Sequence, residues 1–205
     1  MNKIEFIFNY LDTLIPDPKC ELEFSKDYEL VIAVMLSAQS TDKSVNRCTR
    51  VLFNKYPSID LLKEADIEDI KSIIRPIGME SKKAKNIVSI CNKLDDIIPN
   101  DREFLESLDG IGRKSTNVIL GMLYNEPCIA VDTHIFRVSK RLGLANDKDN
   151  VLKVEKKLTS LLKKDNMIRY HQQLLLFGRY YCKAIRPECI DCGLIDICNE
   201  KKKSI

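Results

Sequence analysis

Apolar residues along most of this chain recur three and four positions apart, the spacing of one face of an α-helix, rather than at every second position as in a half-buried strand. That period runs through residues 28–38, 44–56, 67–74, 82–97, 102–108, 114–124, 133–142, 150–162 and 168–181. Breakers fall between the segments, as Pro57, Pro76 with Gly78, Pro99, Gly110 with Gly112, Pro127, Gly143 and Pro187. The connections are a few residues each, so the pattern predicts an all-α protein of closely packed helices. No internal repeat or low-complexity tract interrupts it, and the one like-charge run, 201–203, reads as a solvated tail.

Composition changes this picture little. With 205 residues and 44% hydrophobic content the chain can bury one large core or two small ones. The formal net charge of +3 permits nucleic-acid binding without arguing for it. The N-terminal stretch carries Glu5 and Asp12 and lacks the long apolar core of a signal peptide. The longest apolar run, 31–36, is far too short to cross a bilayer. The expectation is a soluble, cytoplasmic protein with no membrane partner, associated with the nucleoid if the source is bacterial. In that reducing setting a tight group among the eight cysteines favours a metal site over disulfides.

Candidate chemistry sits in two places. The first is Leu108-Asp109-Gly110-Ile111-Gly112-Arg113-Lys114-Ser115, a tight turn between a helix that Asn100 or Asp101 can cap and the helix running to Tyr124. Glycines at Gly110 and Gly112 open backbone angles closed to other residues and allow close approach of another backbone. The first N–H groups of the following helix and its positive dipole end suit a phosphate, and a nucleic-acid duplex is the natural large phosphate ligand. The same glycines also serve a plain helical turn; Arg113 and Lys114, directly following, bring the two readings level. Lys114, in the first helical turn, meets the positive end of the helix dipole. Schiff-base chemistry needs the neutral amine. The residues leave open whether Lys114 is such a nucleophile or a surface cation reaching a phosphate.

The second place is Cys182-x6-Cys189-x2-Cys192-x5-Cys198. Soft thiolates suit zinc or an iron-sulfur cluster. Zinc ribbons use two separated short knuckles, whereas only one short pair occurs here, so the spacing leans towards iron-sulfur. Cys20, Cys48, Cys91 and Cys128 are scattered and read as buried apolar residues. Between the two places lies Val131-Asp132-Thr133-His134-Ile135-Phe136-Arg137-Val138, where Asp132 is a helix N-cap candidate. A cap carboxylate is also rigid and oriented, so the cap does not exclude chemistry. Walker, G-x-S-x-G and H-E-x-x-H signatures are absent from the sequence.

These motifs, together with Met35-Leu36-Ser37-Ala38-Gln39-Ser40-Thr41-Asp42, resemble the endonuclease III branch of the helix-hairpin-helix DNA glycosylases in chain order, from about residue 22 to residue 198. The resemblance implies two helical domains flanking a DNA-binding cleft. One is a six-helix barrel over 22–130 with the hairpin at about 101–124, and the other is a cluster domain of 1–21 plus 131–205 with the cluster at 182–198. It implies a bifunctional glycosylase and abasic-site lyase of base excision repair, acting on oxidised pyrimidines. Lys114 matches the catalytic lysine and Asp132 the catalytic aspartate. Cys182, Cys189, Cys192 and Cys198 would bind a [4Fe-4S] cluster that positions a basic loop with Lys183 and Arg186. Gly110, Gly112 and Arg113 would grip phosphates, and Gln39 and Met79 would fill the gap left by a flipped nucleotide. The implied partner is double-stranded DNA with a damaged base or an abasic site, bound by a monomer.

Two departures stand out: Asp109 where many members have proline, and Met79 in place of a common leucine. The adenine-mismatch branch fits less well because it lacks the hairpin lysine and uses a glutamate in the loop matched by 37–39. The 8-oxoguanine branch lacks the four cysteines. A non-catalytic hairpin module with a structural zinc predicts a colourless protein and no covalent adduct.

Overall fold

A computed structural model of the chain describes residues 2–95, 97–201 and 203. The described residues form eleven α-helices and no strand. These are α1 Lys3–Leu14, α2 Asp27–Leu36, α3 Asp42–Lys55, α4 Ile59–Lys63, α5 Ile67–Ile74, α6 Glu80–Lys93, α7 Arg102–Glu106, α8 Arg113–Tyr124, α9 Thr133–Arg141, α10 Val151–Leu161 and α11 Met167–Leu176. A π-helical turn, Phe177–Tyr181, extends α11. The all-α expectation holds, and no helix among the described residues is long and apolar enough to cross a membrane.

The chain divides into two compact units, one of Cys20–Tyr124 and the other of Met1–Lys19 with Asn125–Ile205. In the first, α2 is buried from Tyr28 to Leu36 on every face, which is why it reads as an apolar run. Helices α3, α6 and α8 pack against it, and α6 also carries α4 and α5. In the second unit, Ile7, Phe8 and Leu11 of α1 join Ile135 and Val138 of α9, Val154 and Leu158 of α10 and Leu174 with Phe177 in one core.

Two helices escape the periodic reading. Helix α1 has a capping box, with Glu5 N–H donating to Asn2 Oδ1 at 2.9 Å and Asn2 N–H to Glu5 Oε2 at 3.1 Å. Its apolar positions run together at Ile4, Phe6, Ile7 and Phe8, which hides the period. Helix α4 has only five residues, too few to show one, and starts where Ser58 Oγ caps Leu61 N–H at 3.3 Å.

Other boundaries shift. The helix expected over 82–97 ends at Lys93, where Leu94 turns extended. Leu94 and Ile98 stay buried and continue the apolar pattern past the helix end, ahead of Pro99, whose preceding residue disfavours helical backbone. Asp96 in that span, and Lys202 of the expected solvated tail, lie outside the described residues. Among the scattered cysteines only Cys48 and Cys91 are buried; Cys20 and Cys128 are half-exposed in loops.

Candidate active site

The hairpin is built as its sequence dictates. Asp101 caps α7 by accepting from Phe104 N–H at 3.1 Å, and Leu105, Leu108 and Ile111 anchor the turn in the core. Gly110 has φ of +82°, and a Cβ there would meet Asn86 Nδ2 at 2.5 Å and Met35 Cγ at 3.1 Å. Gly112 differs: it has no positive φ, and nothing stands within 4 Å of where its Cβ would be. Nothing inside this unit therefore requires Gly112. Gly110→Ala is expected to cost about 1–3 kcal/mol of stability, from left-handed strain plus the clash with Asn86. Gly112→Ala should stay within about 0.5 kcal/mol, and thermal unfolding of the two variants checks the contrast.

Helix α8 starts at Arg113, and Thr116 N–H reaches Gly112 O at 2.9 Å as its opening hydrogen bond. Arg113 and Lys114, in this first turn, are exposed. Asp109 also lies beside the turn, but its carboxylate accepts from Ser89 Oγ and sits 3.8 Å from Lys93 Nζ. Helix α6 thus engages the acid that replaces the common proline.

Helix α6 supports two further loops. Gln39 and Met79 are exposed non-glycine residues in left-handed backbone, with φ of 58° and 55°. Ser40 Oγ donates to Ile77 O at 2.9 Å, joining the two loops. Lys83 of α6, only 3% exposed, donates to Ser40 Oγ at 3.0 Å and to Ile77 O at 3.2 Å. Burial lowers the pKa of Lys83 from its ordinary value. Sequence reasoning gave Lys83 no role. The available signal was a lysine set one turn before Ile87 and two before Ile90, on the apolar stripe of α6.

In the other unit, Asp132 caps α9, its Oδ1 accepting from Ile135 N–H at 2.8 Å. Arg137 of α9 donates to Cys182 O at 3.1 Å and to Gly178 O at 2.6 Å. Gly178 is needed there, since a Cβ would stand 2.9 Å from that of His134. Arg141 donates to Lys183 O at 2.7 Å and to Cys182 Sγ at 3.4 Å. Neither arginine was singled out from the sequence.

Cys182, Cys189, Cys192 and Cys198 all line one pocket, walled also by Arg141 and Leu194. Burial pushes the Cys182 and Cys192 thiols up, while Arg141 favours the Cys182 thiolate. Among the described residues no three His, Cys, Asp or Glu side chains draw close enough to hold a metal ion. Four cysteines lining one pocket offer soft ligands, a donor set that suits zinc or an iron-sulfur cluster. In the loop between them, Lys183 is paired with Glu188 at 2.7 Å, and Arg186 is exposed with φ of 51°.

An all-helical chain with a glycine hairpin opening on a lysine, and a separate four-thiol pocket, is the class of protein that comparison with known proteins also finds. Residues 32–164 match the family described as HhH-GPD superfamily base excision DNA repair protein. The endonuclease III of Bacillus subtilis (strain 168) is 42% identical over 207 residues, covering 99% of this chain and 94% of that one. A trapped covalent intermediate of an endonuclease III with DNA matches with a TM-score of 0.90 and 40% identity, covering 98% of this chain and 97% of that one. A non-covalent endonuclease III complex with DNA matches with the same TM-score and identity, covering 98% and 96%. The chain belongs to the endonuclease III family of base-excision-repair DNA glycosylases and lyases.

Proposed function

We propose that this chain excises oxidised pyrimidines from double-stranded DNA and cuts the strand 3′ to the resulting site, with Lys114 as nucleophile. The observation that carries this reading is an exposed lysine in the first turn of α8, directly after Gly110-Ile111-Gly112, in a member of a family whose relative has been trapped covalently on DNA.

DNA is gripped at the hairpin. The N–H groups of a helix's first turn have no carbonyl of their own helix to bond, so they and the dipole suit a phosphate. Arg113 adds a charged donor. The open space over Gly112 gives a phosphate close access to the backbone, while Asp109 is occupied by α6. Gln39 and Met79 enter the gap left when the target nucleotide swings out of the stack. Exposure of both side chains on loops bound to each other supports that assignment.

The chemistry then needs one amine. The lone pair of neutral Lys114 Nζ forms a bond to C1′ as the glycosidic bond breaks and its electron pair leaves with the base. Ring opening yields a protonated imine, which acidifies the C2′ hydrogen. Loss of that proton sends its electron pair towards the imine and expels the 3′ phosphate, which completes β-elimination. Asp132 stabilises positive charge on the sugar as the base departs.

Cys182, Cys189, Cys192 and Cys198 would hold a [4Fe-4S] cluster, whose contribution is to fix the loop carrying Lys183 and Arg186 beside the DNA backbone. The shared pocket and the hydrogen bond from Arg141 to Cys182 Sγ fit thiolate ligands. The purified protein is expected to show a broad brown visible absorption that Cys192→Ser weakens or removes; a colourless protein carrying zinc would overturn the cluster assignment. The monomeric state and cytoplasmic location belong to the same reading.

Two assays test the function. Borohydride should cross-link the protein to an abasic duplex. Excision should be found for duplexes with one oxidised pyrimidine within a panel of single lesions. Absence of any cross-link would sink the lyase reading.

A further inference from the structure

One stripe of α6 touches both DNA-facing features of its unit. Lys83, Asn86, Ser89 and Lys93 are spaced by three, three and four residues, so they lie on one face of the helix. At one end Lys83 binds Ser40 Oγ and Ile77 O. Further along, Asn86 lies against Gly110, Ser89 binds Asp109, and Lys93 donates to Ser107 O at 3.2 Å. The stretch from Lys83 to Lys93 is a rigid span of about 15 Å at the helical rise of roughly 1.5 Å per residue.

Lys83 stands out on this stripe. It is the buried member, and among the described residues no carboxylate pairs with it; both its partners are neutral oxygens. A buried cation without a counter-charge costs stability, and long apolar side chains of similar volume commonly replace such groups at no loss. A lysine in this place therefore calls for a role other than stability. The partners indicate the role: one belongs to the loop of Gln39, the other to the loop of Met79, and both residues sit in left-handed backbone that must be held.

We propose that Lys83 is a positioning residue for damage excision, a strut that locks the Gln39 and Met79 loops together and sets their register to the phosphate-gripping hairpin through α6. It does not touch the DNA. It acts by keeping two exposed loops in one strained arrangement, so that they enter the duplex as a unit. The inference rests on the gap-filling assignment of Gln39 and Met79 and deepens it.

Lys83→Met keeps length and volume and removes the donors. Ile77 O keeps its bond from Ser40 Oγ, so no buried carbonyl is orphaned. The variant is expected to melt at or above the wild-type temperature. Its excision from a duplex with one oxidised pyrimidine should nevertheless fall roughly 10- to 100-fold, the size of loss that follows when a supporting change misplaces a binding element by about an ångström. Borohydride trapping on a single-stranded oligonucleotide with an abasic site, where no duplex has to be entered, should stay at the wild-type level. Fluorescence of 2-aminopurine opposite the abasic site in a duplex should rise less on binding than with wild type. Ser40→Ala should move the excision and 2-aminopurine readouts the same way by a smaller factor, and it carries the test if Lys83→Met does not fold.

The decisive arm is the background. In a Gln39→Ala, Met79→Ala variant, Lys83→Met should cause no further loss, because a strut acts only through what it holds. Duplex excision within twofold of wild type for Lys83→Met, an equal loss on single strands, or an undiminished loss in that background would overturn the strut. Wild-type excision by the Gln39→Ala, Met79→Ala variant would fail the gap-filling assignment, and the strut with it. Trapping by the unmutated protein on the same oligonucleotide separates both from failure of the enzymatic reading.

Discussion

Lys114→Ala is expected to abolish borohydride trapping on an abasic duplex and to lower strand cleavage by at least about a thousandfold, the scale on which nucleophile removal acts. The alternative is a lysine that only meets a phosphate, and the two readings separate on saturation. Loss of one phosphate contact weakens binding about equally for all sequences and flattens the salt dependence, so excess protein restores the reaction. Loss of the attacking amine leaves a bound but inert complex at any protein concentration. Lys114→Arg sharpens the contrast, because it keeps the charge of an exposed side chain and cannot form the imine. Trapping by Lys114→Ala at wild-type efficiency would demote Lys114 to a phosphate contact. The fold should be indifferent to both changes, since Lys114 is exposed in the first turn of α8 and the turn is anchored by Leu108 and Ile111 instead.

The hairpin was legible in the sequence because its signals are local: a cap at Asp101, glycines in a tight turn, and an apolar period that restarts at once. The cysteine pocket was legible for a similar reason, four thiols within one short segment. What escaped depends on tertiary contacts. Lys83 sits on an apolar stripe, and only the arrival of the 37–41 and 75–79 loops over it makes a buried lysine tolerable. The partners of Asp109, Ser89 and Lys93, lie twenty and sixteen positions earlier on α6, so nothing next to Asp109 in the chain announces them. Arg137 and Arg141 follow the apolar pattern of α9 without marking themselves, yet both reach Cys182, more than forty positions on. Helix α1 failed for another reason, an apolar cluster too dense to show its period. The capping box of Asn2 and Glu5 was the signal that would have found it.

Asp132→Asn is the substitution that best separates charge from structure. The Asp132 carboxylate caps α9 through one oxygen, accepting from Ile135 N–H at 2.8 Å, and asparagine offers a carbonyl oxygen in the same place. Asparagine and aspartate are about equal as N-caps, whereas alanine costs about 1 kcal/mol. Thermal stability of Asp132→Asn should thus stay within about 0.5 kcal/mol of wild type, with DNA affinity nearly unchanged. Base excision should fall by about two to three decades. A full charge about 4 Å from a cationic sugar is worth about 4 kcal/mol at an effective dielectric near 20, and each 1.36 kcal/mol is about tenfold in rate. The loss should be much smaller for trapping on a ready-made abasic site, because no base has to depart there and little positive charge develops. Asp132→Ala should add an unfolding penalty to the same kinetic loss. If Asp132→Asn excises like wild type while Asp132→Ala is merely less stable, Asp132 is a helix cap and the charge at the sugar must be met by another group. If excision and trapping fall together, Asp132 serves the amine rather than the departing base, since imine formation would then be the step that needs it.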